Sequence, residues 1–387
     1  MRAKIQLPIQ TADLIAGFMV WVILSSLLPF IKQDIAIPED QLALVTAIPV
    51  VLGSVLRVPF GYLANLLDAR TVFAASFFLL LFPVWFISEA AAYQDLLVGG
   101  VFLGLGGAVF SVGVTSLPKY YPKDRQGFVN GVYGFGNMGT ALTTWLAPVA
   151  AVALGWQTAV KLYLVLLAAF IVLNLVFGDR DEPRVKTPIA RQLRQIARDS
   201  RLWLLSLFYF VTFGAFVALT VFLPNFLTSH YGMFGVDAGM ATSAFIVCAA
   251  TVRVLGGWLA DRFDCYRLLV AVFAALAAGA VVLAAAPDLP VFLAGVYLIS
   301  VACGIGNGVV FKLVPTYFTG QAGPANGIVS MFGGLGGFFP PLVLSASTAA
   351  FRSNVFGFAL FGAFSVACLA LAQRARTLER TRMESGR

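Results

Sequence analysis

The 387-residue chain is 60% hydrophobic and only 11% charged, a balance that suits an integral membrane protein and not a water-facing globular one. Its net charge of +8 is dispersed between apolar runs instead of gathered in a stripe, which argues against nucleic acid as a partner. The four cysteines, Cys248, Cys265, Cys303 and Cys368, lie far apart without metal-ligand or redox spacing, so they read as packing residues, and neither metal nor cofactor is expected.

The first apolar run, 12–31, follows Arg2 and Lys4 and has no small-residue cleavage site before Lys32, so it is expected to remain as a membrane span. Eleven further runs long enough to cross about 30 Å of hydrocarbon follow at 41–66, 71–92, 95–118, 126–152, 156–178, 202–229, 237–262, 267–287, 290–317, 323–349 and 351–373. Twelve crossings bring the chain back to the side from which it starts. That side holds twenty of the twenty-six Lys and Arg residues, whereas the opposite loops hold only Lys32 and Arg352. The positive-inside rule therefore predicts cytoplasmic termini and a multi-pass protein of the cell inner membrane.

Segment 179–201, "DRDEPRVKTPIARQLRQIARDSR", divides the chain. Residues 1–178 form an expected N-terminal six-helix bundle, 202–374 a C-terminal one and 375–387 a basic cytoplasmic tail. The part "PIARQLRQIARDSR" reads either as a basic helix on the anionic inner leaflet or as a solvated linker.

The two halves are copies of each other. "LRVPFGYLANLLD" (56–68) aligns with "VRVLGGWLADRFD" (252–264), matching Arg57 to Arg253, Gly61 to Gly257 and Asp68 to Asp264; at the same offset Asn130 and Gly131 match Asn326 and Gly327. Two six-helix halves related by an axis along the membrane normal describe the major facilitator architecture, an all-α membrane fold with its substrate site near the midplane. "GWLADR" (257–262) resembles that superfamily's loop motif, and the first-half copy departs from it at Asn65 and Leu66.

Four basic residues, Arg57, Arg253, Lys161 and Lys312, fall within predicted spans, and no acidic residue falls near the middle of one; Asp13, Asp95 and Asp237 lie at span ends. An arginine in the membrane costs about 2.5 to 3.5 kcal/mol on insertion scales. Without a carboxylate to pair them, Arg57 and Arg253 are expected to meet a substrate anion; the alternative is that each binds backbone carbonyls at a helix break. Lys161 reads as an interfacial, structural lysine. Lys312, near the cytoplasmic end of the tenth span, reads either as snorkelling or as a third cation on the anion route, with a possible part in coupling.

The fifth span carries "GVYGFGNMG" (131–139), and its repeat equivalent, the eleventh, carries "GGLGG" (333–337) before "FFPP". Gly131, Gly134, Gly136 and Gly139, with Gly333, Gly334, Gly336 and Gly337, let backbones approach closely and slide, as alternating access requires. Together with "GIGNG" (304–308) and the paired arginines, these stretches resemble the nitrate/nitrite porters of the major facilitator superfamily, the NarK/NasA group, over the whole chain.

The resemblance implies that Arg57 and Arg253 bind substrate, that Tyr209 and Phe213 of "YFVTFG" and Phe110 are the site's aromatics, and that Asn137 and Asn307 lie in its glycine-asparagine motifs. Tyr133 departs from the signature, where a smaller residue is expected. The chemistry is suitable, because a planar guanidinium meets two oxygens of a planar nitrate at once and amides serve a third. The expected activity is transport of nitrate, nitrite or both by alternating access, as nitrate/nitrite exchange or alternatively as nitrate/proton symport. A non-transporting nitrate sensor is the reading from another class, and no enzyme is expected, since no nucleophile, metal or acid-base cluster stands out. The carrier is expected to act as a monomer.

Overall fold

In the computed structural model, residues 2–184, 188–285, 288–351 and 353–385 are described; Arg352, counted above in an outer loop, lies outside them, as do 185–187 of the linker and the last two residues of the tail. Among the described residues twelve helices are long and apolar enough to cross a membrane. They are Ile5–Asp34, Leu42–Leu66, Ala69–Ser88, Tyr93–Tyr120, Lys123–Leu154, Trp156–Phe177, Ser200–Tyr231, Gly235–Arg262, Cys265–Ala284, Leu289–Tyr317, Ala322–Leu344 and Val355–Glu379, the first to twelfth spans below. Their outward faces expose large apolar side chains such as Phe78, Phe82, Trp85, Val165 and Phe356, a surface suited to lipid.

Two boundaries differ from the sequence reading. The first helix starts at Arg2, well before the apolar run, so Asp13 lies about three turns along it, level with Asn174 near the end of the sixth span. The last helix runs from Val355 to Ser385, carrying helical structure into the expected tail, where Glu379 accepts a hydrogen bond from Tyr317. A short helix, Ile189–Ile196, occupies the linker with Gln192 and Ile196 buried, while Arg191 and Arg194 stay exposed.

The repeat seen in sequence is repeated contact by contact. Asp68 caps the third span by accepting from the Thr71 amide, and its equivalent Asp264 caps the ninth by accepting from those of Tyr266 and Arg267. Gly61 approaches the Gly323 carbonyl, and Gly257 that of Gly127. Asn130 donates across the interface to the Phe311 carbonyl at 3.1 Å, and Asn326 donates back to that of Val114 at 3.0 Å. These pairs bind each half to the other through the same device used twice.

Several spans are interrupted along their length. The second breaks at Leu56, the fourth at Gly104 and Val109, and the fifth tightens into a 3₁₀ turn at Phe135–Asn137. Such breaks free carbonyls and turn side chains toward the seam between the halves.

Candidate functional site

Arg57 follows the break in the second span at once, and Arg253 projects from the middle of the continuous eighth span; they are 0% and 1% exposed. Arg57 donates from Nε to the Gly107 carbonyl at 3.1 Å and from Nη1 to the Ser330 carbonyl of the other half at 2.8 Å. The carbonyl-binding alternative is therefore part of the answer for Arg57. It leaves Nη2 without a partner among the described residues. Arg253 is less satisfied, since Nη2 reaches the Tyr209 hydroxyl at 3.4 Å while Nε and Nη1 have no partner among the described residues.

Both guanidinium carbons lie 5.2 Å from the centroid of the same ring, Phe110, so the two charges are no further than twice 5.2 Å apart. Phe213 lies 5.0 Å from the Arg57 carbon and stacks on Tyr209 at 4.9 Å with 7° between the planes. The structure thus brings Phe110, Tyr209 and Phe213 together around the two cations, with cation–π attraction worth roughly 0.5 to 2 kcal/mol per contact. Among the described residues no carboxylate forms an ion pair with either arginine.

Asn137 and Asn307 are 1% exposed, and the amide oxygen of each has no partner among the described residues. Asn137 lies three residues, about one turn, beyond Gly134, and a Cβ at Gly134 would overlap the Arg253 guanidinium. Asn307 lies between Gly306, where a Cβ would press on Thr212, and Gly308, where a Cβ would lie 2.7 Å from the Arg253 carbonyl. The fifth-span motif therefore lies against Arg253 and the first span, and the tenth-span motif against the Arg253 backbone and Thr212 of the seventh span.

The fifth-span glycines have two jobs. Gly131 and Gly134 admit the eighth span and its arginine, whereas Gly136 and Gly139 admit Leu14 and Ile15 of the first span. In the eleventh span Gly333 accommodates the Tyr209 ring, Gly334 faces Ser54 of the opposite half, and Gly336 and Gly337 take the seventh span at Phe210 and Val217.

Lys312 has a different setting from a third cation beside the arginines. Its ammonium is 2.5 Å from Asp261 and 2.8 Å from the Lys123 carbonyl, at the end of the tenth span where the basic loops lie. Asp261 also accepts from the amides of Gly127 and Phe128 at the start of the fifth span, at 3.3 and 2.8 Å. Lys161 pairs with Glu89 at 2.6 Å in an exposed position, consistent with an interfacial role.

Four residues at the site escaped the sequence reading. Tyr133 packs 5.8 Å from Phe110 and donates to the Val109 carbonyl, so the departure from the signature is a wall of the site. Phe311 stands edge-on to Phe110 and Tyr209 at 5.1 and 4.8 Å, and Trp21 lies 5.7 Å from the Arg57 carbon. Ser330 was within reach, because the repeat offset makes it the equivalent of Gly134 and it receives Arg57 as Gly134 receives Arg253. Asp13, placed at a span end by the sequence, is 0% exposed.

The family model of the Major Facilitator Superfamily matches residues 14–341 and 205–386. The chain belongs to the major facilitator superfamily. Among its relatives, a nitrite extrusion protein of Bacillus subtilis (strain 168) is 52% identical over 370 residues, covering 96% of this chain and 94% of that one. A "Probable nitrate transporter NarT" of Staphylococcus haemolyticus (strain JCSC1435) is 49% identical over 361 residues, covering 93% and 94%. These relatives place the chain in the nitrate/nitrite porter family, as its glycine signatures imply, and make it a transporter and not an enzyme. The crystal structure of the human organic anion transporter MFSD10 (TETRAN) superposes with a TM-score of 0.78 at 15% identity, covering 96% of this porter and 99% of that chain, which supports the fold.

Proposed function

We propose that the porter carries nitrate and nitrite across the cytoplasmic membrane by alternating access, binding the anion between Arg57 and Arg253. The observation that carries this reading is the set of buried, unpartnered guanidinium donors, Arg57 Nη2 with Arg253 Nε and Nη1, at the seam of the two halves. A buried donor without a partner costs about 1 to 3 kcal/mol, which an oxyanion would recover. The flat aromatic surroundings suit a planar, weakly hydrated ion.

The exchange mode follows from the pair itself. At an effective dielectric constant of about 20, two like charges about 10 Å apart repel by roughly 1.5 kcal/mol, and more if closer. A bound anion screens that repulsion and lets the halves close over it; an empty site resists closing, so the return step needs a second anion. Nitrate in and nitrite out is the resulting cycle. A second reading, nitrate uptake with a proton, is favoured by the buried carboxyl group of Asp13.

Purified protein in liposomes tests both. Nitrate uptake that requires internal nitrite supports exchange, uptake driven by a pH gradient into empty vesicles supports symport, and nitrate binding without flux under either condition would make the protein a sensor.

A further inference from the structure

One face of the first span is polar and buried. Gln6, Gln10 and Asp13, four and three residues apart, fall on that face and lead inward from the end where the basic loops lie. Gln10 donates to the Ser116 hydroxyl at 3.0 Å, and its amide oxygen has no partner among the described residues. At the head of the stripe, Asp13 Oδ1 accepts from Asn174 Nδ2 at 2.6 Å, while Oδ2 has no partner among the described residues. Burying an acid with one hydrogen bond is costly unless the group serves a purpose or is held neutral.

The titratable and charged groups on the elements around Asp13 are few. Tyr133 of the fifth span interacts electrostatically with Asp13 and also with Arg57 and Arg253. From the third span Arg70 donates to the Asn174 carbonyl at 3.1 Å, and from the sixth Tyr163 is engaged with the Thr143 hydroxyl. At the end of the fourth span Lys119 is paired with Glu182, and Tyr120 is bonded to Asp179. No cation forms an ion pair with Asp13 among the described residues.

We propose that Asp13 is a proton-binding site, reached from the basic face along Gln6 and Gln10, whose loading is coupled to binding of the anion between the arginines. The proposal rests on the anion site described above. Two physical links join the sites. Leu14 and Ile15, the next residues after Asp13, fill the space left by Gly136 and Gly139, on the same segment whose Gly134 receives Arg253. An anion bound between the guanidinium groups adds negative charge to the same buried region, which favours the neutral acid at Asp13. Proton and anion therefore bind together, the proton adding to Asp13 from bulk water and returning to it on release. Linkage makes the coupling reciprocal.

Nitrate titrations of the purified porter at about pH 6 and pH 8, beside nitrate/nitrite exchange in liposomes, test this. Wild-type affinity should tighten at least about fivefold toward the lower pH. Asp13→Asn should bind nitrate with pH-independent affinity and retain nitrate/nitrite exchange, at a rate that no longer depends on pH. Wild-type affinity that ignores pH, or a variant with wild-type pH dependence, overturns the proton site and leaves the anion site standing; absence of nitrate binding by the wild type would overturn the anion site instead. If Asp13→Asn and Asp13→Ser both fail to fold, proton uptake by unbuffered wild-type protein on adding nitrate decides: about a third of a proton per ion or more supports the proposal, and none overturns it.

Discussion

At the scale of single residues, the site is a problem of charge without counter-charge. Arg57 divides its donors between two carbonyls and an open direction, whereas Arg253 keeps most of its donors open. Both positions depend on a planar fork that an ammonium cannot reproduce. Arg57→Lys and Arg253→Lys are expected to weaken nitrate binding by at least about tenfold each, the loss of one charge-assisted hydrogen bond of about 1.5 to 3 kcal/mol. Calorimetric titration with nitrate checks this, and near-normal affinity in either variant would remove bidentate recognition from the mechanism. Arg253→Lys is expected to suffer more, since Arg57 is also held by the backbone.

At the scale of elements, the glycine-rich fifth span is a surface with two sides. A methyl group at Gly134 would displace the Arg253 guanidinium, while one at Gly139 would overlap the Ile15 carbonyl of the first span. The first neighbour is a flexible side chain and the second is backbone, so the outcomes should differ. Gly134→Ala is expected to fold with near-normal thermal stability but lose nitrate affinity. Gly139→Ala is expected to be destabilised by about 1 to 3 kcal/mol, the usual cost of overpacking. Thermal unfolding with and without nitrate separates the two, and equal effects of both variants on stability would deny the division of labour.

At the scale of the whole molecule, closure of the basic face rests on unequal copies of one device. Asp261 accepts from the Gly127 and Phe128 amides and holds Lys312, whereas its equivalent, Asn65, faces Gly323 without a charge. A carboxylate at a helix N-terminus contributes about 0.3 to 2 kcal/mol. Asp261→Asn is therefore expected to loosen that face on the side of the fifth span, seen as faster amide hydrogen exchange in residues 123–134. Unchanged exchange there would mean that the glycine contacts and the Asn130 and Asn326 bonds keep the face shut by themselves.

Twelve spans, the repeat and the two arginines are written in the sequence because each is a local or periodic property: apolar length, recurrence at one offset, and charge where charge is costly. The resemblance supplied Phe110, Tyr209 and Phe213, which composition alone loses among 35 phenylalanines and 11 tyrosines. Tertiary structure decided what depends on distant segments meeting. It put both guanidinium groups on one ring, brought Ser330 to Arg57 and set Lys312 on Asp261. It also buried Asp13, which the sequence left at a span end, beside Asn174 from 161 residues away. Sequence placed the charges; packing determined which of them have partners.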